Sequence, residues 1–280
     1  MTGRGGSTKK RCISMSIGNE IEHLLEGYEP ISLSEVEKAS LMRRKDSKFI
    51  MGVSIVPVVL STVKEHYRVL TIEGKRSHGY CTQYYDTPDL EMYHLHHRGK
   101  ANRHKVRFRR YGTSDIHFLE VKRKNSRGIT IKNRIRTNGM QASILTSEEE
   151  FLHTHTPYQA ELMKPVLENQ FNRVTLVRHD QKERITLDFG LRFTSLMSER
   201  EIYLPGLSIA EIKYEHLLAG SPFNLALRSN HVLPDRFSKY AIGAALLNEE
   251  LKQNRFKMKV RKVLQINDQY SETIKTPQDA

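Results

Sequence analysis

The chain has 280 residues, 38% of them hydrophobic, with no Trp, and its 45 Lys+Arg outnumber 32 Asp+Glu for a net charge of +13. A chain this long can bury about three quarters of its extended surface, so a full core is expected without staples. The charge excess points to a polyanionic partner, while Cys12 and Cys81 provide neither a disulfide framework nor a metal-ligand spacing.

The chain reads as one domain over residues 15–266, flanked by disordered tails at 1–14 (basic) and 267–280. Ile17, Ile21, Leu24 and Leu25 fit one helical face, and Ser32 with Glu35 forms a capping box opening a second helix that runs to about Met42. The apolar run Phe49 to Leu60 contains Ser54 and Pro57 and falls well short of the roughly 20 residues a membrane span needs. With no signal-peptide pattern at the N-terminus, the expected location is cytoplasmic. Strands are predicted at 44–53, 80–86, 103–112, 116–124, 129–136, 172–179, 183–189, 192–204 and 208–214, with a helix at 147–169 and a last helix from Pro234 to Leu251. Phe256 to Ile266 fits helix or strand, and His94, His96, His97 and His104 are expected at a solvated hairpin end. Many antiparallel strands with few helices make an α+β fold built on a barrel or strongly curved sheet.

The strands share an unusual polarity. Lys105, Arg107 and Arg109 lie on one face, and Val106 and Phe108 on the other. Glu120, Lys122 and Lys124 oppose Leu119 and Val121; Lys132 and Arg134 flank Asn133; Arg184 and Asp188 oppose Ile185 and Leu187; Glu211 and Lys213 oppose Ile212; and Arg44, Asp46 and Lys48 share a face. For one strand this is ordinary, apolar side to the core and charged side to water. Repeated over six strands it sets cation against cation, which is destabilising without an anion. If helices cover the apolar faces, the charged faces become the interior of a barrel that can hold one slim ligand. Arg grips phosphate oxygens bidentately and Lys acts as a point charge. The isolated carboxylates Asp46, Glu120, Asp188 and Glu211 suit Mg²⁺ or Mn²⁺ bridging phosphates. Because Phe108 alternates away from Arg107 and Arg109, stacking of bases along a nucleic-acid strand is not expected. No Gly-rich phosphate loop ending in Lys-Ser/Thr is present.

These motifs, in this order, resemble the VTC-type polyphosphate polymerase domain of the CYTH-like triphosphate tunnel family. The likeness runs from Ser32 to Leu247 through Leu41-Met42-Arg43-Arg44-Lys45-Asp46-Ser47-Lys48-Phe49, Tyr84-Tyr85-Asp86-Thr87-Pro88, the Lys105 to Tyr111 strand, Leu119-Glu120-Val121-Lys122, Arg184 to Asp188, Glu211-Ile212-Lys213 and Arg236-Phe237-Ser238-Lys239-Tyr240. The resemblance implies an eight-stranded antiparallel β-barrel tunnel with helices packed outside. It implies that Lys48, Arg107, Arg109 and Lys122 carry catalysis on a nucleoside triphosphate. Arg44, Arg98, Lys132, Arg173, Arg184, Lys213, Arg236, Ser238 and Lys239 would bind substrate phosphates, and Glu211, with Asp46 and Glu120, would bind the metal. Tunnel triphosphatases begin with Glu-x-Glu-x-Lys, whereas here the triplet is Arg44-x-Asp46-x-Lys48. Exchanging a carboxylate for a cation favours holding a long anion. The expected activity is therefore transfer of the terminal phosphate of ATP to inorganic polyphosphate, with Mn²⁺ or Mg²⁺. The rival expectations are a metal-dependent triphosphatase or polyphosphatase and a non-catalytic polyphosphate-binding module.

Overall fold

A computed structural model of the chain describes residues 16–38, 45–112, 116–140, 144, 146–215 and 218–275. The expected basic tail and Arg44 lie outside the described residues.

Helix α1 (Ile17–Glu26) is capped by Ser16, whose Oγ accepts from the Asn19 N–H, and it buries Ile21 and Leu25 on the predicted face. Strand β1 (Pro30–Ile31) leads to α2 (Leu33–Lys38) through the Ser32–Glu35 capping box, closed by Ser32 N–H to Glu35 Oε2 at 2.9 Å and Glu35 N–H to Ser32 Oγ at 3.3 Å. The apolar run that follows is two elements, β2 (Lys45–Gly52) and α3 (Ile55–Val63), turning at Val53-Ser54. Next come β3 (Tyr67–Leu70), β4 (Ser77–Asp86), helix α4 (Glu91–His97), and the meander β5 (Arg103–Tyr111), β6 (Ile116–Lys124) and β7 (Thr130–Thr137). Helix α5 (Thr146–His155) stops short of the predicted 147–169, because Pro157 ends the helical stretch and Lys164 already begins a strand.

Three long strands follow, β8 (Lys164–Arg178), β9 (Glu183–Ser195) and β10 (Glu201–Tyr214). The strand expected at 192–204 is in fact the end of β9 and the start of β10. The true turn between them has no Gly or Pro; Glu199 takes it with φ +56°. The signals that suggested breaks are register shifts inside strands, near Gly190 in β9 and Pro205-Gly206 in β10. Helices α6 (Pro222–Ser229), α7 (Lys239–Leu247) and α8 (Lys257–Lys275) complete the fold, so the segment expected to be a tail after Ile266 continues as helix to Lys275. No described helix is long and apolar enough to cross a membrane.

Among the described residues the sheet has ten strands. Eight run in the order β2-β10-β9-β8-β4-β5-β6-β7, every adjacent pair antiparallel, and β1 and β3 branch off β8. Among the described residues β2 and β7 do not pair with each other, so the sheet is not the closed eight-stranded barrel expected. The free side of β2 is met instead by the chain at Pro234 and Asp235, whose N–H donates to Lys48 O at 2.7 Å. The sheet nevertheless curls strongly. Lys48 of β2 donates to Phe237 O (3.2 Å) and Lys105 of β5 to Ser238 Oγ (2.8 Å), so adjacent residues bridge strands five places apart. In a flat sheet those strands would lie about 24 Å apart.

The polarity is as expected for a sheet rolled around its charged face. Val106, Phe108, Leu119 and Val121 are fully buried on the other face, in a core that includes residues of α4 and α5. Ile185, Leu187, Ala210 and Ile212 lie in a second core with α1, α3 and α6. Helix α7 departs from the expectation that helices pack outside. Tyr240 stacks on Tyr84 (5.2 Å), the cross-strand partner of Arg107, and Gly243 packs against Phe193 and Leu167, so α7 covers part of the inner face. Buried Asp86 fixes this arrangement, accepting from the N–H groups of Thr87, Met92 and Tyr93 (2.8–2.9 Å) and from the Tyr240 hydroxyl.

Helix α8 closes on β10 at Gly206, whose N–H donates to Asn267 Oδ1 (3.0 Å) and where an added Cβ would lie 2.5 Å from Tyr270 Cβ. Gly206→Ala should cost about 1–3 kcal/mol through overpacking. Urea denaturation should show the loss, with faster proteolysis within 257–275; an unchanged midpoint would contradict this packing.

Candidate functional site

The site is built by strand register. Lys105, Lys122 and Lys132 are successive cross-strand partners on β5, β6 and β7, a row of three ammonium groups with no carboxylate among them. The next row is Arg107, Glu120 and Arg134, and the next is Arg109, Phe118 and Arg136. On the other wall Arg173 pairs with Asp188, and Lys48 with Glu211.

Glu120 and Asp188, both fully buried on this face, are each held between two cations. Glu120 accepts from Arg107 Nε at 2.7 Å and takes Lys132 on its other oxygen. Asp188 accepts two bonds from Arg173 (2.6 and 2.7 Å) and pairs with Lys239. Burial alone would raise the Asp188 carboxyl, but Arg173 and Lys239 outweigh it and hold it at about 2. Glu120 is likewise held far below the carboxylate range, despite its burial, by Arg107, Arg109 and Lys132.

The lysines bear the opposite load. Burial, followed by Lys48, Arg103 and Arg107, pushes the Lys105 ammonium well below its ordinary value; for Lys122 repulsion by Arg107 leads and burial follows. Burial brings Lys132 and Lys239 down to about 8. Such groups favour being neutral, or having an anion beside them.

Most of the sequence-predicted residues converge here. Lys48, Arg107, Arg109, Lys122, Lys132, Arg173, Lys213, Ser238 and Lys239 contribute to the inner face, with Arg184 in register opposite Lys213. Ser238 caps α7, accepting from Ala241 N–H as well as from Lys105. Arg236 is exposed at the rim and, after burial, is what depresses Arg103. Arg98 is not brought in; it is exposed at the end of α4, where its carbonyl accepts from Arg255.

The expected metal ligands do not form a cluster. Glu120 is saturated by Arg107 and Lys132, while Glu211 and half-exposed Asp46 both face Lys213, and no three His, Cys, Asp or Glu side chains converge among the described residues. Glu211 pairs with Lys213 through one oxygen and is the carboxylate through which a hard cation such as Mg²⁺ or Mn²⁺ would be held. Burial would raise it, but Lys48, Lys213 and Lys122 keep it ionised.

Three features were not recognised from sequence. Lys105 was seen on the charged face but not assigned a role. His94, His96 and His97 lie on α4, and His104 is buried on β5, rather than at a solvated hairpin end: His97 is buried against Phe256 (5.2 Å), and burial, Lys105, Arg103, Lys48 and Lys124 push His96 down to about 2, so it is neutral. Phe108 does point outward, but Tyr80, Tyr111, Phe118 and Phe171 share the inner face with Arg109 and Arg173. The signal was available at Tyr111, two residues beyond Arg109, and at Phe118, two before Glu120.

The lysine shifts fix the pH dependence of the anion-free protein. Between pH 8 and about 9.5 the unfolded chain keeps its lysines protonated while the folded chain has begun to release protons from Lys132 and Lys239, so stability rises with pH. Melting temperatures in phosphate-free buffer should climb over this window, and Lys239→Met should flatten the climb. A falling curve would overturn the electrostatic assignment.

A search of curated proteins finds no match to the chain. Solved structures are similar to the chain at low identity. A Hippeastrum adenylyl cyclase candidate with a dominant triphosphatase activity is 11% identical, with a TM-score of 0.45 over 73% of this chain and 96% of that one. An adenylate cyclase candidate from Bacillus halodurans is 14% identical, with a TM-score of 0.42 over 70% and 96%. A protein from Pyrococcus horikoshii OT3 is 13% identical, with a TM-score of 0.40 over 71% and 97%. The model of the VTC domain matches residues 43–248, most of the chain and every strand of the cationic face. The chain belongs to the VTC domain family.

Proposed function

We propose that the inner face is a tunnel that holds inorganic polyphosphate and transfers to it the terminal phosphate of a nucleoside triphosphate, with ATP the expected donor. The observation that carries this reading is the row Lys105–Lys122–Lys132, three ammonium groups in direct cross-strand register. Like charges so placed are destabilising; Glu120 pairs with Lys132, yet burial and neighbouring cations still depress all three lysines, so the carboxylates at hand do not fully offset the repulsion. A chain of phosphates would.

Phosphoryl transfer asks a protein mainly for positioning and charge neutralisation. Arg107 and Arg173 are pre-oriented, since Glu120 and Asp188 hold their guanidinium groups before any substrate arrives. Arg109 is steadied by Thr82 Oγ1 (3.1 Å) and offers its remaining donors to phosphate oxygens. Lys48, Lys105 and Lys122 supply point charges along the same track, and Lys239 enters it from the first turn of α7. A divalent metal held through Glu211 would neutralise charge on the transferred group. The acceptor is the end of the polymer, which the remaining cations retain between additions. Asp46 of the Arg44-x-Asp46-x-Lys48 triplet pairs loosely with Lys213 at 3.9 Å, in keeping with a face committed to cations.

Incubation with ATP and Mn²⁺ should yield a phosphate polymer, and Glu211→Gln should reduce that yield at least tenfold. Release of orthophosphate alone would replace the polymerase reading by hydrolysis; tight polyphosphate binding without turnover would leave a binding module. Lys122→Met separates substrate binding from folding. Each charge-assisted contact contributes about 1.5–3 kcal/mol, so tripolyphosphate affinity should fall about 10- to 100-fold, while the melting temperature of the anion-free variant rises. A fall in both would make Lys122 a structural residue.

A further inference from the structure

We propose that Tyr111, at the edge of an aromatic cluster on the inner face, is the docking surface for the base of the nucleoside triphosphate; this rests on the reading that the cations beside it take the triphosphate. Tyr80 stacks on Phe171 (5.3 Å, 8°), Tyr111 meets Tyr80 edge-on (5.1 Å) and also Phe118 (5.9 Å), so the rings form a continuous platform across β8, β4, β5 and β6. The platform belongs to the charged face, because Tyr111 is two residues beyond Arg109 and Phe118 is the cross-strand partner of Arg109.

A polyphosphate track has no use for ring faces. The face of an aromatic ring carries partial negative charge, which attracts cations and repels anions. Three of the rings satisfy that preference internally. Arg109 and Arg173 lie over Tyr80 (5.5 and 4.9 Å), Arg173 and Lys239 over Phe171 (5.1 and 4.3 Å), and Arg134 over Phe118 (4.6 Å). These rings support cations whose other sides face the phosphate track. Tyr111 differs: no cation lies over it among the described residues, and it is half-exposed. Its position is also fixed, since the neighbouring Gly112 N–H donates to Gly79 O at 2.8 Å and a Cβ at 112 would lie 2.9 Å from that oxygen. A half-exposed ring with no cation over it among the described residues, beside Arg109 and away from the lysine row, marks where the anion ends and a planar, uncharged group begins. The base of a nucleoside triphosphate has that form, and every base presents a face that stacks on an aromatic side chain.

The test compares two ligands that share the triphosphate and differ in the base. Affinities of ATP and inorganic tripolyphosphate are measured by calorimetry for the wild-type chain, Tyr111→Ala and Tyr111→Phe. The expected result is an ATP affinity lowered about tenfold in Tyr111→Ala and retained in Tyr111→Phe, with tripolyphosphate affinity unchanged in both. Equal weakening of both ligands would make Tyr111 a structural support of the tunnel, and no change in either would place the base elsewhere; each overturns the proposal. If the wild-type chain binds tripolyphosphate but not ATP, the base assignment fails while the tunnel reading stands. If it binds neither, the tunnel reading itself fails and takes this one with it.

Discussion

Repulsion among ammonium and guanidinium groups on the concave side of one sheet governs the rest of the molecule. Strand register sets Lys105, Lys122 and Lys132 side by side, and curling brings Lys48 of β2 towards Lys105 of β5. The fold answers with a minimum of countercharge. Glu120 and Asp188 each bind two cations, enough to fix two guanidinium groups in place and too little to neutralise the face. Replacing such carboxylates by neutral groups would leave buried charges without partners, whereas adding more would cancel the positive field of the face. The face is thus ordered like a finished binding site and charged like an unfinished one.

Much of this was legible in sequence because a strand's period of two is rigid. Once Arg107 and Arg109 share a face, Val106 and Phe108 must occupy the other, and the structure places them so. The capping box at Ser32 and the face of α1 were legible for the same reason, that local geometry decides them. Strand ends were harder to read. Gly190 and Pro205-Gly206 look like turn signals and are irregularities within long strands, whereas the real turn at Glu199 uses a left-handed residue that sequence does not advertise. Carboxylates on one face look alike in sequence; whether one is bound between two cations, as Glu120 is, depends on the partner strands. Closure of the sheet depends on tertiary curvature, which no local pattern encodes.

Helix α7 illustrates how a single buried acid organises distant parts. Asp86, from the Tyr-Tyr-Asp-Thr-Pro stretch, binds the first turns of α4 and the hydroxyl of Tyr240, and Tyr240 anchors the helix whose first residue is Lys239. Conventional helix capping thereby sets the position of a cation more than a hundred residues further along the chain. It also explains how one helix comes to lie on the charged side of the sheet: its N-terminal end carries the polar residues Ser238 and Lys239, while Tyr240 and Gly243 fit among the apolar side chains at the end of that face.

The depressed lysines have a consequence for the protein's persistence. A ligand that binds only the folded form stabilises it in proportion to its concentration, and here the ligand would also remove a repulsion that the folded form carries by itself. On the proposed function, protein deprived of polyanion would open more often, and open chains are what proteases degrade. The abundance of such a protein would then follow the phosphate supply of its surroundings without any dedicated sensor, because the charge pattern that serves binding also sets the lifetime of the chain.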